Sequence, residues 1–128
     1  MASKLTEVAI DCMEPQKLAD FWCQVLGYVV VDASDDVISI GPSEGREPRE
    51  LEGPAACLLT FARVAESKVV KNRLHLDVNP VGCTQDEEVR RLQALGARRV
   101  DVGQGQVPWV VLGDPEGNEF CVLASPGR

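Results

Sequence analysis

The sequence contains an internal repeat of fifteen residues. Residues 18–32 and 87–101 align without a gap, and five of the fifteen positions are identical. The identical pairs are Gln24/Gln93, Leu26/Leu95, Gly27/Gly96, Val31/Val100 and Asp32/Asp101. Each copy has the pattern of an amphipathic helix that ends at Leu-Gly and is followed by a strand. The repeat predicts one supersecondary unit that has been duplicated, with function in the space that the two copies enclose.

The residues around each copy extend the repeat to a β-α-β-β-β order. In the first half, a helix is expected at 15–26, and strands are expected at 7–12, 28–32, 36–40 and 56–63. In the second half, a helix is expected at 84–96, and strands are expected at 73–78, 98–102, 107–112 and 119–124. Thr84 and Glu87 have the spacing of a capping box. Residues 41–55 are rich in Gly, Pro and charge, which predicts a long loop.

Composition excludes several classes of function. The net charge is −7 with no basic cluster, which argues against nucleic acid or an anionic membrane as a partner. The single histidine, His75, cannot form an H-E-x-x-H, three-His or two-His-one-carboxylate metal site. The five cysteines are scattered and form no C-x-x-C pair. Without a signal-peptide pattern or a transmembrane run, they predict reduced thiols in a cytoplasmic protein.

Alternation places several polar side chains on the face of each sheet that points away from its helix. In 73–78, Leu74, Leu76 and Val78 are expected under the helix, which leaves Arg73, His75 and Asp77 on the other face. The same parity in 7–12 and 119–123 adds Glu7, Asp11, Glu119 and Cys121. These side chains either line a cavity or form a solvated outer face. We favour a cavity because the first and last strands of both halves are expected around one space.

Three segments resemble the vicinal oxygen chelate superfamily of glyoxalases, bleomycin resistance proteins and dioxygenases. They are E-P-Q-K-L-A-D-F-W-C-Q-V-L-G-Y (14–28), K-N-R-L-H-L-D-V (71–78) and D-P-E-G-N-E-F-C-V-L (114–123). The last, together with F-W-x-x-V-L-G, is similar to a small glyoxalase-like branch common in actinobacteria.

The resemblance implies an α+β fold within a single domain, 1–128. Two tandem βαβββ modules, about 5–64 and 72–125, would form a curved mixed sheet around a central cavity, with the helices on the outer face. The resemblance also implies a homodimer. It leaves open whether the modules pair within one chain or swap between chains.

Metal-binding members of the superfamily supply one ligand from each of four strands. Carried over by position, the ligands fall on Glu7, near Ala62 or Thr60, on His75 and on Cys121. Glu7, His75 and Cys121 would suit zinc chemically, but Ala62 has no donor atom. The alternatives are a divalent ion (zinc, nickel, manganese or iron) or no metal. Cys121 is either a buried apolar thiol or a ligand or thiolate whose pKa is lowered by His75 or a metal.

The resemblance leaves alternative functions. The first is a glyoxalase-like enzyme with lyase or isomerase chemistry on a small polar metabolite, in which Glu7, His75 and Glu119 are catalytic. The substrate-binding residues would be Asp11, Arg73, Asp77 and Trp109. The second is a non-catalytic binding protein of the bleomycin-resistance type, for which the acidic balance favours a cationic ligand. The third is an interaction domain with a vestigial cavity. Glyoxalase I activity on a glutathione adduct is disfavoured because the full ligand set is absent.

Overall fold

The computed structural model describes residues 2–42 and 57–124. The chain divides into two compact units, Met1–Ser67 and Lys68–Arg128. The first unit contains β1 (Glu7–Cys12), α1 (Pro15–Leu26), β2 (Val29–Ala33), β3 (Val37–Gly41) and β4 (Leu58–Arg63). The second contains β5 (Leu76–Val78), α2 (Gln85–Leu95), β6 (Arg98–Arg99), β7 (Val110–Gly113) and β8 (Glu119–Val122). None of the helices in these described ranges is long and apolar enough to span a membrane.

The two units have the same sheet topology. The strand order is β1-β4-β3-β2 in one sheet and β5-β8-β7-β6 in the other. In each sheet the first and last strands of the unit are parallel, and the remaining pairs are antiparallel. The helices end at equivalent glycines, Gly27 and Gly96, both with positive φ. The predicted α+β fold of two repeated βαβββ modules is confirmed.

The core of the first unit lies between its helix and its sheet. Helix α1 buries Leu18, Phe21 and Trp22, and it packs against β3 and β4, which bury Ile40 and Phe61. Each fully buried side chain of this kind contributes about 1.5–3 kcal/mol. In β1 the exposed and half-buried positions alternate, as predicted from the sequence.

The second unit is organised around α2. The predicted capping box is present, since Thr84 Oγ1 accepts from Glu87 N and the Glu87 carboxylate accepts from Thr84 N. The inward face of α2 buries Val89 and Leu92. On the sheet the buried apolar side chains include Leu112, Phe120 and Val122. The predicted turn at 114–117 is present, because Gly117 N donates to Asp114 O at 2.8 Å.

Several strands are shorter than the sequence predicts. Strand 73–78 begins only at Leu76, because β5 pairs with β8 over Leu76–Val78 alone. Leu74 is 87% exposed, so the prediction that it packs under the helix is wrong. The strands predicted at 98–102 and 107–112 are reduced to Arg98–Arg99 and Val110–Gly113. Most of the predicted loop 41–55 lies outside the described residues.

Candidate functional site

A cavity of about 480 Å³ lies in the second unit. The polar and ionisable residues that line it are Lys71, His75, Asp77, Gln104, Glu119 and Cys121. The apolar residues that line it are Val102, Trp109, Val111 and Leu123. A volume of this size is typical of sites for small organic molecules. Five residues predicted from the sequence therefore line one space: His75, Asp77, Trp109, Glu119 and Cys121.

The pairing of the strands directs these side chains into the cavity. Cys121 on β8 pairs with Asp77 on β5 and with Val111 on β7. Paired residues share a face of the sheet, so all three point the same way. Phe120 and Val122 lie one position away and are buried on the opposite face. The predicted parity of β8 is therefore confirmed by the positions of these side chains.

His75, Asp77 and Cys121 form a cluster with three kinds of donor atom. His75 Nδ1 lies 2.9 Å from Asp77 Oδ1, and Cys121 Sγ lies 3.9 Å from the same nitrogen. One ligand atom from each residue lies within 4.8 Å of the others. The His75 and Asp77 side chains are 42% and 45% exposed, whereas Cys121 is buried. One imidazole, one carboxylate and one thiol fit a zinc-type ion and leave a position for water or substrate.

The thiol of Cys121 is held in its protonated form. Burial raises its pKa above the ordinary value of 9.0, and the charge of Asp77 and a hydrogen bond with Asp77 raise it further. The ammonium of Lys71 acts in the opposite direction but does not reverse the shift. This shift favours the buried thiol over the alternative in which His75 alone converts Cys121 to a thiolate.

Glu119 is the best-anchored carboxylate of the cavity. It accepts hydrogen bonds from Lys68 Nζ at 2.7 Å and from Asn72 N at 2.8 Å. Burial alone raises the pKa of Glu119, but the bonds from Lys68 and Asn72 outweigh it and bring the pKa below its ordinary value. Glu119 is therefore a stable carboxylate that ties the segment before β5 to the start of β8.

Lys71 lines the cavity but was not among the site residues predicted from the sequence. Its ammonium donates to the backbone oxygen of Asn72 at 3.1 Å. The signal for it was present, since Lys71 begins the K-N-R-L-H-L-D-V segment. Arg73, by contrast, is exposed and is not among the residues that line the cavity. Arg73 was predicted beside His75 and Asp77 because the strand was expected to begin at residue 73, whereas β5 begins at Leu76.

The remaining predicted residues belong to the first unit. Thr60 Oγ1 donates to Glu7 Oε2, and it also lies 2.9 Å from Ser39 Oγ. Asp11 is exposed and pairs in register with Ala62. The predicted roles of Glu7 and Asp11 stay predictions. The position carried over to Ala62 or Thr60 offers only the Thr60 hydroxyl, which is already bonded to Glu7.

Known proteins provide a family for the chain and several structures of similar fold. A family model described as a glyoxalase-like domain matches residues 7–123. No curated protein is significantly similar to the chain in sequence.

A glyoxalase/bleomycin resistance protein/dioxygenase family enzyme from Burkholderia phytofirmans PsJN has a TM-score of 0.67 at 18% identity, covering 94% of this chain and 97% of that one. A mutant of the fosfomycin resistance protein FosX from Listeria monocytogenes, complexed with Mn(II) and 1S,2S-dihydroxypropylphosphonic acid, has a TM-score of 0.66 at 14% identity, covering 98% and 92%. The trypanothione-dependent glyoxalase I of Leishmania major has a TM-score of 0.60 at 13% identity, covering 96% and 87%. At these identities the likeness is one of fold.

Proposed function

Because the chain belongs to the glyoxalase-like domain family, we propose that it is a metal-assisted enzyme with lyase or isomerase chemistry on a small polar metabolite. One observation carries this proposal: the donor atoms of His75, Asp77 and Cys121 lie within 4.8 Å of one another at the wall of a cavity of small-molecule size. The FosX structure of similar fold holds Mn(II) together with a small phosphonic acid, which supports metal chemistry in this fold.

We propose His75, Asp77 and Cys121 as the ligands of a divalent ion, for which zinc, nickel, manganese and iron are the candidates. When bound, the ion would act as a Lewis acid on an oxygen of the substrate. Binding requires Cys121 to lose its proton, so the affinity for the ion rises with pH. The contribution of Glu7 to the ligand set stays a prediction, as does a role for Glu7 in proton transfer.

Glu119 has a different role in this proposal from the catalytic one predicted from the sequence. Its carboxylate is ionised and already bonded to Lys68 and Asn72. A carboxylate in that state is a poor proton donor near neutral pH. We therefore propose that Glu119 positions the segment that carries Lys71, while His75 faces the substrate.

A metabolite extract offers a test in which the substrate need not be identified beforehand. Protein supplied with zinc or manganese is incubated with a small-molecule cell extract, and mass spectrometry follows which metabolites disappear. We expect consumption by the wild type and by Cys83→Ser, a matched thiol control outside the cavity, but not by His75→Ala or Cys121→Ser. An extract left unchanged by the wild type would contradict the enzyme proposal. Metabolites that are retained on the protein without conversion would favour the binding-protein alternative, for which the exposed Trp109 in the cavity is the supporting feature.

We also propose that the protein is a homodimer, as the superfamily resemblance implies. Val69, Val70 and Leu74 are strongly exposed apolar side chains close together in sequence, and such clusters often mark interfaces. Light scattering coupled to size-exclusion chromatography tests this, and a strictly monomeric wild type would contradict it.

The five cysteines are free. The cytoplasmic location and the actinobacterial branch stay predictions.

A further inference from the structure

Among the residues that the structure describes, Lys71 is a charged side chain of the cavity that bonds to no other side chain. Glu119 is bonded to Lys68 at 2.7 Å, and Asp77 is bonded to His75 at 2.9 Å. Lys71 donates only to the backbone oxygen of Asn72. Within residues 2–42 and 57–124 Lys71 forms no salt bridge. Its ammonium is therefore available to a ligand, and an anion is the partner that it would bind most strongly.

The backbone beside Lys71 is held in place by its neighbour. Asn72 N donates to Glu119 Oε1 at 2.8 Å, and Asn72 Nδ2 donates to Asn118 Oδ1 at 3.0 Å. Asn118 in turn donates to the buried Asp114 through its backbone and its side chain. The segment that carries Lys71 is thus tied to the start of β8 before any ligand arrives. A cation on a fixed backbone loses less conformational freedom on binding than one on a mobile loop.

Most of the remaining residues that line the cavity are apolar, and they include an indole ring. Trp109 is 39% exposed, although it is a large hydrophobic side chain, and it lines the cavity with Val111 and Leu123. The amide of Gln104 is already engaged, because its oxygen accepts from Val102 N at 2.8 Å. These side chains therefore offer contact area to a flat apolar group and few free polar atoms.

We propose that the cavity selects a small organic anion that also carries a flat apolar group, an inference that rests on the proposed function. Lys71 would pair with the carboxylate, phosphate or phosphonate, and Trp109 would pack against the flat group. The chain as a whole has a net charge of −7, which on its own attracts cations rather than anions. A preference for anions must therefore come from a local positive group, and Lys71 is the group placed to supply it.

Phenylphosphonate is a suitable probe, with benzamide as the neutral comparison and benzylamine as the cationic one. The protein is first treated with a chelator, so that binding does not depend on a metal ion. The chain has two tryptophans. Trp22 is 1% exposed and buried in the first unit, whereas Trp109 lines the cavity, so quenching of exposed tryptophan fluorescence reports ligand there. The Trp109→Leu variant lacks this fluorescence signal, so calorimetry measures its affinity for phenylphosphonate.

Variants of Lys71 and Trp109 test whether binding depends on these two side chains. We expect saturable quenching by phenylphosphonate, with Kd raised about tenfold in Lys71→Gln and largely retained in Lys71→Arg. Lys17→Gln, which removes the same charge from the exposed face of α1, should leave Kd unchanged. Trp109→Leu should weaken binding by calorimetry, benzamide should bind more weakly than phenylphosphonate, and benzylamine should not bind.

Three results would overturn the proposal: no saturable binding of phenylphosphonate, equal Kd in wild type and Lys71→Gln, or equal binding of benzylamine. These results are distinguishable from failure of the proposed enzyme activity. Metabolite turnover by a protein that does not bind phenylphosphonate would overturn only the anion subsite. Phenylphosphonate binding that depends on Lys71, without turnover of any metabolite, would overturn only the enzyme proposal.

Discussion

The Sγ of Cys121 lies 3.9 Å from Nδ1 of His75, yet the cysteine is a thiol rather than a thiolate. Burial and the adjacent Asp77 carboxylate both favour the protonated form. Asp77 also lies 2.9 Å from the same imidazole nitrogen, so the ring faces a carboxylate as well as the thiol. The raised pKa of Cys121 therefore supports the proposed role of these residues as ligands rather than that of a nucleophile beside its base.

The first prediction concerns the reactivity of Cys121. In metal-free protein, alkylation of Cys121 by iodoacetamide should be slow at neutral pH and should accelerate only as the pH passes above 9.0, the ordinary pKa of a cysteine. Asp77→Asn should increase the rate at a given pH, because it removes the charge that favours the thiol. Peptide mapping by mass spectrometry measures the rate, with Asp86→Asn as the control. Fast alkylation at pH 7 that Asp77→Asn does not change would contradict this account.

The second prediction concerns the ion pair between Glu119 and Lys68. Folding lowers the pKa of Glu119 below its ordinary value of 4.5. The carboxylate therefore stabilises the protein fully at pH values above 4.5, and this contribution is lost as the pH falls through the lower pKa of the folded state. Glu119→Gln should therefore reduce the free energy of unfolding by about 1–2 kcal/mol at pH 7. The difference from wild type should shrink on acidification.

Urea denaturation from pH 7 to pH 3 measures this difference, and Lys68→Met should behave in the same way. Asp101→Asn, on an exposed residue of the same unit, serves as the control. A difference between wild type and Glu119→Gln that stays constant with pH would show that the carboxylate is not stabilised by its partners.

The third prediction tests the start of α2. Thr84→Ala removes the hydroxyl that accepts from Glu87 N, and it should lower the free energy of unfolding by about 1 kcal/mol. Thr84→Ser keeps the oxygen and should retain most of that stability. Denaturation midpoints measure both variants. An alanine variant as stable as the wild type would mean that the capping box contributes nothing in solution.

Local sequence patterns predicted the elements that are set by neighbouring residues. The repeated Leu-Gly ends of the two helices, the alternation of β1, the Thr84 capping box and the turn after Asp114 all depend on residues within a few positions. The parity of β8 was also predicted correctly, and Phe120, Cys121 and Val122 each have a partner on both neighbouring strands.

Contacts between distant residues could not be predicted in the same way. Lys68 and Asn72 bond to Glu119, which is 51 and 47 positions away, so the local sequence does not predict these two contacts. The start of β5 was wrong for the same reason. Leu74 continues the alternation but has no strand partner, because the register of β5 with β8 begins at Leu76.

The fourth prediction concerns the polar chain in the first unit. Thr60 is 8% exposed and its hydroxyl connects Ser39 with Glu7. Thr60→Val should therefore destabilise the protein by about 1 kcal/mol, since it leaves Ser39 and Glu7 without that partner. Thr60→Ser keeps the hydroxyl and is the matched control. Equal urea midpoints for wild type and Thr60→Val would contradict the assigned hydrogen bonds.

The central claim is that His75, Asp77 and Cys121 hold a divalent ion, and metal content tests it most directly. Tag-free wild type, His75→Ala, Asp77→Asn, Cys121→Ser and the control Cys83→Ser would be offered zinc, dialysed extensively and analysed by elemental mass spectrometry. We predict about one zinc ion per chain in the wild type and in Cys83→Ser. We also predict a loss of about tenfold or more in the three cavity variants. A wild type that retains no ion, or equal zinc in all five proteins, would contradict the claim.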